Sequence, residues 1–197
     1  MGKRVRAATA TALLAGGVAA NSLLVRRGAR RVLADPDQAT LSRPLDGRII
    51  EVEARDGTRI HAEAFGPDDA PAIVLAHGWS EAIRIWTRVI HELTPGLRVV
   101  AWDLRGHGRS DEPANGDYSI DARASDLDAV LEAALAPAER AVVAGHSLGA
   151  MTVIRWAEAH PASAASRMAA SVLVNACVDN VLAESLVFPP RWRGSGT

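Results

Sequence analysis

Four short apolar runs, at positions 73–76, 97–102 (interrupted by Arg98), 141–144 and 172–174, alternate with longer segments of helical periodicity. Each run is too short for a helix and lacks the two-residue alternation of a half-exposed strand, so each predicts a strand buried on both faces. Between them, Ile83, Trp86, Ile90 and Leu93 follow helical spacing, with Ser80 as the expected cap and Pro95-Gly96 as the stop. A second helix is expected near Asp121, with Leu127, Val130, Leu131, Ala134 and Leu135 on one face and Pro137 beyond its end. Residues 148–160 are apolar nearly all round and predict a central helix. Strands alternating with helices require a mostly parallel α/β sheet with helices on both faces. Ahead of them, residues 49–54 and 58–65 alternate apolar and polar around Asp56-Gly57, which reads as a hairpin.

The pentapeptide Gly145-His146-Ser147-Leu148-Gly149 lies between the third buried run and the central helix. A turn this sharp predicts a strained backbone at Ser147, with its hydroxyl exposed at the carboxyl edge of the sheet. Gly145 and Gly149 remove side chains that would collide with the neighbouring strand and helix, and His146 is read as structural. The helix N-terminus after Ser147 supplies partial positive charge for a developing anion. His77-Gly78-Trp79 follows the first buried run. It can set the backbone N–H of Trp79 opposite that of Leu148 as a two-donor oxyanion hole, with Gly78 structural and His77 bracing the loop. Trp79 is also the expected pocket-lining aromatic, ahead of Tyr118, while Trp86 and Trp156 are expected in the core.

With Asp103-Leu104-Arg105-Gly106-His107-Gly108-Arg109-Ser110 added, the three motifs and their order resemble the α/β-hydrolase superfamily over residues 48–176. The likeness is to serine-nucleophile esterases, lysophospholipases and proline iminopeptidase-like enzymes of actinobacterial type. The resemblance implies ester or amide hydrolysis through an acyl-enzyme and no cofactor. Serine at the elbow sets the chain apart from the superfamily's epoxide hydrolases and haloalkane dehalogenases, which place aspartate there. It also implies that residues 103–110 are a packing and turn element in which Arg105 is salt-bridged.

The family order of nucleophile, acid and histidine exposes a shortfall. His160 is the one histidine after Ser147, at the far end of the helix that begins beside it, and so is excluded as the base. Asp179 reads either as the acid or as a solvated turn residue. The 21 residues after Ala176 are fewer than a βαβ unit of about 30 needs, so an incomplete α/β-hydrolase fold is expected, without its last strands and lid. Two readings stay open: a serine hydrolase that is inactive or weakly active as this truncated chain, or a non-catalytic, membrane-associated remnant or interaction module.

The net charge of −1 argues against a nucleic-acid partner. A small-molecule ester or lipid-like substrate is expected instead. The single cysteine, Cys177, and six scattered histidines show no metal-ligand spacing, so no metal is expected. The charge is unevenly placed. Residues 1–34 carry seven basic and no acidic side chains, leaving 15 basic and 23 acidic in the rest. Residues 7–25 are uncharged, near the roughly 20 needed to span a bilayer, though rich in Ala, Gly and Thr. They read as a secretion signal, a membrane anchor or an Ala-rich amphipathic helix, which predicts a membrane-associated or secreted protein, with a cytoplasmic one as the alternative. The expected divisions are a leader at 1–34, a linker at 35–47, the hydrolase part at 48–180 and a tail at 181–197.

Overall fold

A computed structural model describes residues 21, 22 and 24–177. They fall into two compact units that divide between Pro44 and Leu45. In the first, residues 24–33 are helical (α1) and Gln38–Leu41 form one further turn (α2), with Leu24, Val25, Val32 and Leu33 all exposed. No helix among the described residues is long and apolar enough to cross a membrane. Most of the apolar stretch at 7–25 lies outside the described residues, as do Asp179 and the tail at 181–197.

The second unit is a six-stranded sheet in the order β1-β2-β4-β3-β5-β6. Its strands are β1 (Arg48–Glu53), β2 (Arg59–Phe65), β3 (Ala72–Ala76), β4 (Arg98–Trp102), β5 (Ala141–His146) and β6 (Met168–Val174). The hairpin β1–β2 joins β4 antiparallel, and the other pairings are parallel. In register, Ala76 faces Trp102 on one side and Gly145 on the other. The chain therefore leaves β3, β4 and β5 at one sheet edge, which is where the loops carrying all three motifs meet.

Helices cover both faces, as the alternation predicts. On one, α4 (Ile120–Ala134) and α5 (Leu148–Ala159) bury Leu127, Leu131 and Trp156 against Val74, Val143 and Trp102. On the other, α3 (Thr87–Leu93) and the 3-10 turn before it pack Ile83 and Ile90 on Leu75, Val99 and Ala101. Each such side chain taken from water contributes about 1.5–3 kcal/mol. A short helix, α6 (Pro161–Arg167), leads into β6.

Three expectations are corrected. Ser80 caps no helix, because its φ of 57° is left-handed; the chain instead makes a 3-10 turn at Ile83–Trp86 before α3 begins. The central helix buries one face only, through Gly149, Ala150, Thr152, Val153 and Trp156. The 172–174 run extends back to Met168 and is an edge rather than a buried strand. It pairs with β5 alone among the described residues, leaving Val172, Leu173 and Val174 exposed.

Candidate active site

Ser147 sits between β5 and α5 with φ 49° and ψ −114°. That is left-handed in φ but far from the small αL basin in ψ, a conformation a side chain strains to adopt. Its N–H donates to the Val174 carbonyl at 2.9 Å and its C=O accepts from Met151 N–H at 3.0 Å, so the backbone is pinned from both sides. Its side chain makes no capping bond, which leaves the hydroxyl out of the helix terminus. The two glycines have the roles their spacing suggests. A Cβ on Gly145 would lie 2.5 Å from the Ala150 nitrogen, and one on Gly149 would run into the Ala76 and His77 carbonyl oxygens. Leu148 opens α5, so its N–H has no carbonyl one turn back within the helix.

His77 has no exposed surface and is placed as a brace. Its Nδ1–H donates to the Gly78 carbonyl at 2.7 Å, and its Nε2 accepts from Leu104 N–H at 3.0 Å. Burial pushes its pKa below the ordinary histidine value, against the opposing pull of the Gly78 hydrogen bond and the Asp103 charge. The ring is therefore a neutral strut between two loops. Asp103 is a fastener too. One oxygen accepts from Ile83 N–H at 2.8 Å and the other from Arg109 N–H at 2.9 Å. Ser110 adds a bond from His61 N–H and one to the Asp103 carbonyl. Arg105 is buried and reaches Asp126 through two hydrogen bonds of 2.6 Å, with Asp56 at 2.9 Å. The Asp126 carboxylate holds its guanidinium protonated well above the ordinary value. The 103–110 segment is thus a braced turn joined to α4.

His160 caps the far end of α5, where its ring lies 3.6 Å from the Asp128 carboxylate. Twelve residues of helix separate it from the elbow, about 18 Å at ~1.5 Å per residue. The aromatic residues divide as expected in part. Trp156 is fully buried with its N–H on Asp128, Trp86 is half-buried, and Trp79 is 64% exposed on its loop. Tyr118 lies over Gly106 and near the Arg123 guanidinium. A cavity of about 300 Å³ opens among His61, Glu63, Ile83, Arg84 and Arg109, without Ser147 in its lining. Among the described residues no group of three His, Cys, Asp or Glu side chains is placed to hold a metal ion.

Sequence reasoning missed Glu81. Its Oε2 accepts from Gly78 N–H at 2.7 Å and from His146 Nδ1–H at 3.1 Å, and His146 Nε2 accepts in turn from the Asn175 side chain at 3.2 Å. The signal available was a lone acid directly after the His77–Ser80 loop, with no helix-capping role to explain it.

A sequence profile of the alpha/beta hydrolase fold matches residues 71–193. A non-heme chloroperoxidase of Streptomyces lividans is 40% identical over 127 residues, which are 64% of this chain and 44% of that protein. Epoxide hydrolase B of Mycobacterium tuberculosis is 40% identical over 120 residues, 59% of this chain and 33% of the relative. The crystal structure of an esterase from Rhodococcus sp. ECU1013 superposes with a TM-score of 0.59 at 35% identity, covering 65% of this chain and 46% of that one. The chain spans less than half the length of these relatives.

Proposed function

The chain belongs to the alpha/beta hydrolase fold family, and from that premise we propose that it is a serine hydrolase acting on small carboxylic esters or amides through an acyl-enzyme. The observation that carries this is the backbone of Ser147, strained at the sheet edge with its hydroxyl uncommitted to the helix cap. Its relatives include both an esterase and an epoxide hydrolase. A serine at the elbow favours acyl transfer, because its oxygen forms an ester that water can later cleave.

In this reading the Ser147 oxygen adds to the substrate carbonyl, and the Leu148 and Trp79 N–H groups receive the oxyanion. The tetrahedral intermediate collapses as the alcohol or amine leaves with a proton, and water then cleaves the acyl-serine ester to release the acid and restore the hydroxyl. A base must take the Ser147 proton, and the imidazoles of the loops after β3 and β5 are engaged at both ring nitrogens, His77 by Gly78 and Leu104, His146 by Glu81 and Asn175. His107 after β4 donates to the Arg105 carbonyl of its own turn and lies against the His77 ring. The 197-residue chain therefore turns over slowly, through the oxyanion hole and binding alone. The engagement of His77 and His146 among the described residues also supports a second reading, a non-catalytic member of the family. Hydrolysis of p-nitrophenyl acetate, compared with Ser147→Ala, tests both. Slow hydrolysis lost in Ser147→Ala supports the first, equal rates in the two proteins support the second, and fast hydrolysis by the unaltered chain contradicts the account of the base. We also propose a membrane-associated or exported location, supported by the basic flanks of residues 7–25. A soluble cytoplasmic fraction holding all of the protein would overturn it.

A further inference from the structure

We propose that Glu81 is a positioning residue that ties the 77–80 loop to the Ser147 elbow and so sets the two oxyanion donors at a fixed separation. This rests on the reading of Ser147 as nucleophile and of the Trp79 and Leu148 amides as oxyanion donors. Those amides sit on different loops, one after β3 and one after β5, and neither loop fixes the other by covalent geometry. A single carboxylate oxygen spans them. Glu81 Oε2 takes the N–H of Gly78, the residue before Trp79, and the Nδ1–H of His146, the residue before Ser147. Each oxyanion donor is thus within two residues of a group held by the same atom.

The space for this bridge is specific. A Cβ on Gly78 would lie 2.9 Å from Glu81 Oε2 and 3.0 Å from His146 Nδ1, so a side chain there would push the two partners apart. The line continues past the elbow. Asn175, itself left-handed at φ 52°, donates to His146 Nε2, and Val174 just before it accepts the Ser147 N–H. Asn175, His146, Glu81 and Gly78 therefore form one run of hydrogen bonds along the sheet edge, from the end of β6 to the loop after β3. Burial of Glu81 opposes its ionisation, but the Gly78 N–H and the His146 ring prevail and hold the carboxyl below its ordinary value. The side chain is not needed as a cap, since Ala82 occupies the N-cap of the following turn. About a quarter of each partner's side chain is exposed, 23% for Glu81 and 27% for His146, so the bridge is largely screened from water.

The test uses the full chain, an alkyl fluorophosphonate, and the variants Glu81→Ala, Glu81→Gln and Ser147→Ala. In the labelling step the Ser147 oxygen bonds to phosphorus, the P–F bond breaks, fluoride leaves and the serine proton goes to solvent. The phosphoryl oxygen occupies the oxyanion hole as charge develops. Removing an oxyanion donor outright costs roughly 100- to 1,000-fold, so misplacing one predicts a loss of about 10-fold or more in the labelling rate of Glu81→Ala. The glutamine Oε1, placed where Glu81 Oε2 lies, can accept from both Gly78 N–H and His146 Nδ1–H, so Glu81→Gln should label within about threefold of the unaltered chain. Glu81→Gln, which keeps a partner for both groups, should melt within about 3 °C of it.

Labelling of Glu81→Ala at the unaltered rate, or Glu81→Gln no better than Glu81→Ala, overturns the proposal. Labelling that persists in Ser147→Ala overturns the nucleophile reading instead. Backbone hydrogen exchange then decides the tie independently of reactivity. The Gly78 amide should lose protection in Glu81→Ala and regain it in Glu81→Gln, and equal exchange in all forms would refute the tie.

Discussion

If the elbow holds Ser147 under strain, relieving that strain should stabilise the protein while destroying the proposed nucleophile. The substitution that does this is Ser147→Gly, because glycine reaches φ 49°, ψ −114° without a Cβ clash. A sparsely populated backbone conformation costs about 1–3 kcal/mol. Glycine returns roughly 0.5–1 kcal/mol of that through the freedom it adds to the unfolded chain. The net gain is therefore about 1 kcal/mol. For a unit of about 130 ordered residues, ~2.1 cal/mol/K per residue gives an unfolding entropy near 0.28 kcal/mol/K, so the melting temperature should rise by about 4 °C. Ser147→Ala is the proper reference, since it also loses the hydroxyl but keeps the strained Cβ. Thermal unfolding followed by circular dichroism, with urea titration as a check, compares the two variants. If Ser147→Gly melts at or below Ser147→Ala, the strain is not there and the structural basis for an elbow fails.

Two further predictions concern the braces around the site. Arg105→Met leaves Asp126 buried and unpaired, so urea unfolding should show a loss of about 3–5 kcal/mol; a loss below about 1 kcal/mol would mean the pair is not buried as described. His77 predicts an acid-side weakness. Because its folded pKa lies below the ordinary value, the unfolded chain binds a proton that the folded chain refuses. Stability should fall as pH drops below about 6.5, and the slope should flatten in His77→Gln whatever that variant's absolute stability. The depressed carboxyl groups of Asp56, Glu81 and Asp128 give up their contribution only at lower pH, below about 4, so the two windows separate. Unfolding curves at a series of pH values between 7.5 and 4.5 check this, and parallel slopes in the two proteins would contradict the buried neutral histidine.

The sheet was legible because a strand buried on both faces writes itself as an unbroken apolar run, as at Val99, Val100 and Ala101. The elbow was legible because a tight strand-to-helix turn admits only glycine at positions 145 and 149. What escaped depends on partners remote in sequence. Residues 172–174 read the same whether their strand is central or at an edge, since burial depends on what pairs with it. Ser80 looks like a cap until its left-handed φ is known. Arg105 could be read as ion-paired, but not that Asp126 on α4 is the partner. Glu81 has no periodic signature at all, because its role exists only where it meets His146, 65 residues further along the chain.

Whether Ser147 is the nucleophile is read out by site-resolved labelling. After prolonged exposure of the 197-residue chain to an alkyl fluorophosphonate, intact-mass measurement and peptide mapping locate the adduct. One adduct is expected, on the Ser147 oxygen, and none on Ser147→Ala. An adduct on another residue, or labelling unchanged in Ser147→Ala, would contradict that role.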